Sequence, residues 1–279
     1  MRFGINTFLW TVKFSPEQAA LLDKIKSGGF DGAEIALFDP AEFDGPGIRR
    51  VFAQAGLGLT VCSVMSKENN PVSESAVVRQ KALDHLRASV AAVAEAGAEI
   101  LAGPLYAPLG ELPGRRRNSD EWKRAVELYQ TLGPALDAHG VTIALEPLNR
   151  FETYFLNTAV DAAEFCRQVS HPRVGVLFDT FHANIEEKSI ADGYRTVGPH
   201  LKHVHTCEND RGTPGTGHVD WTGVFQALND VNYDGWLTIE SFGSAIVEIA
   251  AAACIWRDLE KDPETLAFEG LRFLKSHYA

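Results

Sequence analysis

Hydrophobic and polar positions along the chain alternate between two periods. Short runs rich in apolar and β-branched residues read as strands. Between them lie longer stretches with apolar residues every three or four positions, the signature of an amphipathic helix. In the first unit FGINTFL reads as a strand, and Ser15-Pro16-Glu17-Gln18 supplies a helix N-cap, a first-turn proline and a capping-box glutamine. Gly28-Gly29 closes that helix ahead of the strand GAEIAL. Leu83, Leu86, Val90 and Val93 recur at helical spacing before Gly97, and Trp122, Val126, Tyr129 and Leu136 do so before Gly140. The pattern predicts strands near 3–9, 32–37, 58–64, 98–103, 141–146, 174–179, 201–206 and 236–240, each followed by a helix. Eight βα units of ~35 residues each predict an α/β chain folded as a single (β/α)8 barrel over 1–279. The run 263–276 predicts an additional C-terminal helix, and the Gly/Pro/Arg-rich stretch 103–118 reads as a long loop after the fourth strand. A doubly wound sheet is the alternative, but no G-x-G-x-x-G opens the first helix and the even spacing favours closure.

Composition narrows the partners. The chain has 37 Asp and Glu against 26 Lys and Arg, a net charge of -11, which argues against a surface that neutralises a phosphate backbone. No nucleic acid partner is expected. No apolar run approaches the ~18 residues of a membrane span, and the N-terminal stretch lacks a signal-peptide pattern, so no membrane partner is expected either. Cys62, Cys166, Cys207 and Cys254 are widely spaced and form no C-x-x-C pair. Neither a zinc ribbon nor a redox motif is available, and a reducing cytoplasm is the expected compartment.

In such barrels chemistry lies at the C-terminal ends of the strands. Glu146 closes VTIALE, Asp179 closes VGVLFD, His205 closes LKHVH and Glu240 closes WLTIE. Side chains two apart share a face, so Glu146 lies with Ala144, Asp179 with Leu177, His205 with His203 and Glu240 with Thr238. Leu145, Phe178, Val204 and Ile239 then point outwards to the helices. A single buried carboxylate could serve as a structural acceptor; four neighbouring strands in phase point to a site. Three carboxylates crowded at a barrel mouth require a compensating positive charge, and a divalent cation is the simplest source. Three oxygen donors and one imidazole suit Mn²⁺, Mg²⁺ or Co²⁺ better than a thiolate-bound structural zinc. His203 reads as a satisfied core histidine below the site and Cys207 as a small loop residue.

The strings ALEPLNRFETYFLNT, VGVLFDTFHANIEEKS, HVHTCENDRGTPGTGHVDW and LTIESF closely resemble the ketose 3-epimerases, the D-tagatose, D-allulose and L-ribulose 3-epimerase group within the xylose-isomerase-like barrels. The likeness is strong over strands five to eight. Over the first half it rests on the barrel pattern and the opening FGINTFLW. The resemblance implies that Glu146 and Glu240 are paired acid/base residues and metal ligands, with Asp179 and His205 completing the ligand set. It implies Mn²⁺ as the leading cofactor, with Co²⁺ or Mg²⁺ as alternatives, a small ketose as substrate and a homodimer or homotetramer as the assembly. Glu152, His182 and Arg211 match polar contacts to the C1–C3 end of the sugar. Phe8, Cys62 and Tyr106, with Phe242 in the I-E-S-F string, are the candidates for the remaining substrate contacts, and Trp10 lies near the same strand ends.

Epimerising a carbon beside a ketone means removing its proton on one face and returning one on the other through an enediolate, which two opposed carboxylates can do. Aldose–ketose isomerisation and keto-inositol dehydration would use the same metal and enediolate. A phosphodiesterase of the abasic-site endonuclease type would need a His-rich multi-zinc cluster, whereas only His182 and His205 fall in the relevant motifs. A non-catalytic sugar-binding barrel would have no need of the acid pair.

Overall fold

The computed structural model describes residues 1–244 and 246–278. Eight parallel strands close into a barrel in chain order: β1 Arg2–Asn6, β2 Gly32–Ala36, β3 Gly58–Cys62, β4 Ile100–Gly103, β5 Thr142–Leu145, β6 Val174–Asp179, β7 Leu201–His205 and β8 Trp236–Ile239. Around them run α1 Ala19–Ser27, α2 Gly45–Ala55, α3 Ala76–Glu95, α4 Ser119–His139, α5 Ala159–Val169, α6 Thr180–Glu186, α7 Ile190–Val197, α8 Trp221–Asp230, α9 Val247–Ala252 and α10 Pro263–Tyr278. The expected C-terminal helix is α10. It lies against the α1 end, where Phe268 packs over Gly28 and Lys275 Nζ donates to the Gly29 carbonyl at 2.8 Å. α9 is a short helix between β8 and α10, beside the barrel mouth.

Local chemistry sets the boundaries. The capping box at Ser15 forms, with the Ser15 amide donating to Gln18 Oε1 at 2.9 Å. α4 stops where Gly140 turns to φ +69, a conformation that costs glycine nothing. One boundary differs from the sequence pattern: the first strand ends at Asn6, not at residue 9. Asn6 Oδ1 accepts the Phe8 amide at 2.9 Å and caps a one-turn helix over Thr7–Leu9, so the side-chain bond outcompetes the ladder that the apolar run suggested. The third strand likewise ends at Cys62, two residues early.

The alternation of side chains holds around the barrel. Leu145, Phe178, Val204 and Ile239 belong to the large core between strands and helices, whereas Ala102, Ala144 and Leu177 form a separate cluster inside the barrel. That dry cluster fills the β4–β6 side. The floor is filled by Trp236, which reaches over positions where Gly32 and Gly58 carry no side chain; a Cβ at either would collide with the indole. On the remaining side the interior is polar, with Asn6, Glu34, Thr60, His203, His205 and Thr238 all buried. One half of the interior supplies packing and the other half holds the site.

Candidate active site

Four strand ends converge on one point. Asp179 and His205 are the last residues of β6 and β7, and Glu146 and Glu240 directly follow β5 and β8. His205 Nδ1 lies 3.4 Å from Glu240 Oε2, 3.7 Å from Glu146 Oε1 and 4.0 Å from Asp179 Oδ2. All four side chains are buried. Among the described residues, Glu146 Oε1 and His205 Nδ1 have no hydrogen-bond partner. Such groups are costly in an interior unless something else satisfies them. The four donor atoms are gathered closely enough to hold one cation, and their hard oxygen-rich character suits a divalent ion.

A guanidinium already neutralises part of this charge. Arg211 Nη1 donates to Asp179 Oδ2 at 2.7 Å and to Glu240 Oε2 at 2.9 Å, with its plane between the rings of Phe181 and Phe242. Its backbone sits at φ +68, in the left-handed region that a non-glycine residue enters at a cost, and the Ser241 hydroxyl donates to its carbonyl. The loop that carries it is pinned by Glu208. That fully buried carboxylate accepts the amides of Asn209, Gly215 and Val219 and the Trp221 indole N–H at 2.8–3.1 Å.

His182 lies beside Arg211. The Asn149 amide donates to His182 Nδ1 at 3.1 Å, so the ring's hydrogen resides on Nε2, 3.0 Å from Arg211 Nη2. Two N–H donors this close repel unless both turn to a shared acceptor in the cavity that the two residues line. Burial, then Arg211, push His182 well below the usual imidazole value, so the ring is neutral.

The carboxylates are pushed in opposite directions. Burial drives Glu146 up to about 8, with Glu240 and Asp179 adding to the rise. Burial also raises Asp179 despite Arg211. For Glu240 burial is outweighed by His205 and Arg211, which hold it below its ordinary value. Burial opposes charge on His205 too, yet Glu240 and Glu34 keep it well above the usual value.

These groups open into a cavity of about 250 Å³ at the C-terminal end of the strands. Its floor is polar, and its outer wall is apolar, built from Phe8, Phe38, Leu109, Phe242 and Ile249. Phe8 packs against Phe38 and Phe242 at centroid distances of 6.3 and 5.8 Å.

Comparison with known proteins fits this geometry. Residues 22–277 match the xylose isomerase-like TIM barrel family. The D-psicose 3-epimerase of Ruminiclostridium cellulolyticum is 33% identical over 264 residues, covering 93% of this chain and 90% of its own. The L-ribulose 3-epimerase of Mesorhizobium japonicum is 32% identical over 279 residues, covering 98% and 93%. A crystal structure of the D-allulose 3-epimerase from Methylomonas sp. in complex with D-allulose aligns with a TM-score of 0.94 at 30% identity, over 100% of this chain and 97% of that one. The chain belongs to the ketose 3-epimerase family, a group of isomerase-class enzymes.

For this family member the structure gathers most of the residues singled out in the sequence. Glu146, Glu152, His182, His205, Arg211, Glu240, Phe8, Cys62 and Phe242 line the cavity, and Asp179 lies behind Arg211. Glu152 is paired with Asn149, whose Nδ2 donates to it at 2.7 Å, while Arg150 is engaged by Glu186. Tyr106 is a correction. It is fully buried and does not line the cavity; its hydroxyl donates to the Glu146 carbonyl at 2.8 Å, because the loop after β4 turns the ring inwards to stack on Phe155. Trp10 also faces away, with its indole N–H on Glu264. Cys207 is more than a small loop residue: its thiol donates to the Glu240 carbonyl at 2.8 Å and lies 3.4 Å from Asp179 Oδ2. Glu34, Asn149, Phe38 and Phe181 escaped the sequence reading. For Glu34 a signal existed, an acid in inward phase within the otherwise apolar GAEIAL.

Proposed function

We propose that the protein epimerises free ketoses at C3, using Glu146 and Glu240 as the acid/base pair. The observation that carries this reading is the pair itself. The two carboxylates flank His205 Nδ1 at one cavity floor, an arrangement that supports a base on one side of a bound sugar carbon and an acid on the other. Glu240, ionised, removes the C3 proton on one face of the sugar. Glu146 returns a proton on the other face, and the reverse reaction exchanges the roles. Arg211 and the Nε2–H of His182 both donate to the oxygen on which charge develops in the enediolate. Glu152, held by Asn149, accepts a substrate hydroxyl and fixes the C1–C3 end. A divalent cation held by Glu146, Asp179, His205 and Glu240, with Mn²⁺ the first choice and Co²⁺ or Mg²⁺ the alternatives, would supply Lewis-acid polarisation of the ketone.

The apolar outer wall supports a substrate whose far end is gripped by shape more than by hydrogen bonds, and the relatives are named for D-psicose and L-ribulose. Phe8, Phe38 and Phe242 would form the platform for that end. The free thiols of Cys62, Cys166 and Cys207 support a reducing cytoplasm, and Phe151, Val247 and Trp256 are exposed apolar side chains of the kind a homodimer or homotetramer would cover. Among the described residues no helix is long and apolar enough to cross a membrane.

Incubation with Mn²⁺ and D-fructose, D-tagatose or L-ribulose in D2O is expected to place deuterium at C3, read by NMR. Glu240→Gln should slow that exchange by about 10²–10⁴-fold, the range for loss of a positioned base. No C3 label on any ketose, or full turnover in Glu240→Gln, would refute the assignment.

A further inference from the structure

Glu34 sits on β2 with no surface exposed, across the barrel from β7, and the reaction outlined above gives it no part. Both of its oxygens are fully engaged. Oε1 lies 2.8 Å from His205 Nε2 and accepts Asn6 Nδ2 at 3.0 Å; Oε2 lies 2.8 Å from His203 Nε2 and accepts Thr60 Oγ1 at 3.0 Å. Side chains from β1, β2, β3 and β7 thus meet on one carboxylate inside the barrel.

This arrangement has a chemical consequence. Asn6 Nδ2 and Thr60 Oγ1 donate one to each oxygen of this carboxylate, which favours its ionised form, and an ionised carboxylate only accepts. The Nε2 atoms of His203 and His205 therefore both carry hydrogen. For His205 this leaves Nδ1 as the ligand atom, and Nδ1 is the atom turned towards Glu146, Asp179 and Glu240. The ring cannot swing away, because Oε2 is already taken by His203 and Thr60 and the His203 ring lies edge-on to His205 at 5.3 Å.

A rival reading would make Glu34, His203 and His205 a second cation site, since their donor atoms lie close together. The distances decide against it. Both N···O separations are 2.8 Å, a charge-assisted hydrogen-bond length and shorter than the spacing of two ligands each about 2 Å from a tetrahedral ion.

We propose that Glu34 is a positioning residue for the metal: it locks His205 into the orientation and tautomer that present Nδ1 to the cation, with His203 fixing the other half of the carboxylate. The proposal rests on the reading of Glu146, Asp179, His205 and Glu240 as the metal ligands. Carboxylates behind ligating histidines set ligand basicity, and their loss typically costs 10–100-fold in metal affinity.

The test is calorimetric titration of the metal-stripped protein with Mn²⁺, without sugar, in wild type and Glu34→Gln. Glu34→Gln preserves shape but removes the charge and replaces one acceptor oxygen with an NH2 donor, so one carboxylate no longer holds both Nε2–H groups. Mn²⁺ is expected to bind about 10–100-fold more weakly to Glu34→Gln. An unchanged dissociation constant overturns the role of Glu34 while leaving the ligand set standing. A wild type that takes up no Mn²⁺ overturns both. Should Glu34→Gln not fold, the wild type with diamagnetic Mg²⁺ decides by NMR. A slowly exchanging, downfield His205 Nε2–H is expected, and its absence refutes the proposal.

Discussion

Metal binding should be strongly linked to protons, and the size of the linkage follows from the site. In the metal-free protein Glu146 titrates at about 8 because burial and two neighbouring carboxylates oppose its charge, and His205 stays protonated well above the usual imidazole range. A cation needs both groups deprotonated, so affinity must rise with pH. For Glu146 alone the deprotonated fraction is about one half at pH 8 and about 1% at pH 6, which weakens binding about 50-fold, or about 2.3 kcal/mol. His205, whose affinity for its proton is also raised, steepens the slope. The assay is titration with Mn²⁺ from about pH 6 to about pH 8, repeated in buffers of different ionisation enthalpy to count released protons. That count should approach two at the acid end. A dissociation constant that varies less than about fivefold over this range, or one that weakens as pH rises, would refute the electrostatic argument.

Two further outcomes concern stability. Arg211→Ala strips the buried partner from Asp179 and Glu240, and a broken buried ion pair typically costs about 3–5 kcal/mol. Denaturation in chelator should show that loss and added Mn²⁺ should recover part of it; equal losses with and without metal would contradict the shared-charge account. Trp236→Ala empties the barrel floor beneath Gly32 and Gly58 and should cost about 3–5 kcal/mol, measured by urea unfolding. A loss below about 1 kcal/mol would mean that the floor collapses or hydrates instead.

Particular residues show how far the chain could be read in advance. The eight strands were legible because burial on both faces makes each a short apolar run bounded by turn residues. Asp179, His205, Glu146 and Glu240 were legible as neighbours because each is a polar residue in inward phase at the end of one of four consecutive strands. Tyr106 was misplaced because a residue in a loop has no period to fix its direction; its hydroxyl found the Glu146 carbonyl instead of the cavity. The stop of β1 at Asn6 was hidden for a related reason, since a side-chain cap and a ladder bond compete for the same backbone.

What the amino-acid sequence determined by itself was local and periodic: strand and helix alternation, the caps, the phase of each strand and hence which side chains point inwards. Tertiary structure alone decided which inward side chains meet. Glu34 and His203 are 169 positions apart in sequence, yet barrel closure brings the carboxylate to within 2.8 Å of the imidazole. The opposite shifts of Glu146 and Glu240 likewise belong to no local pattern. They arise from shared burial and from the placement of Arg211 and His205, and electrostatic interactions of that kind exist only once distant parts of the chain have packed together.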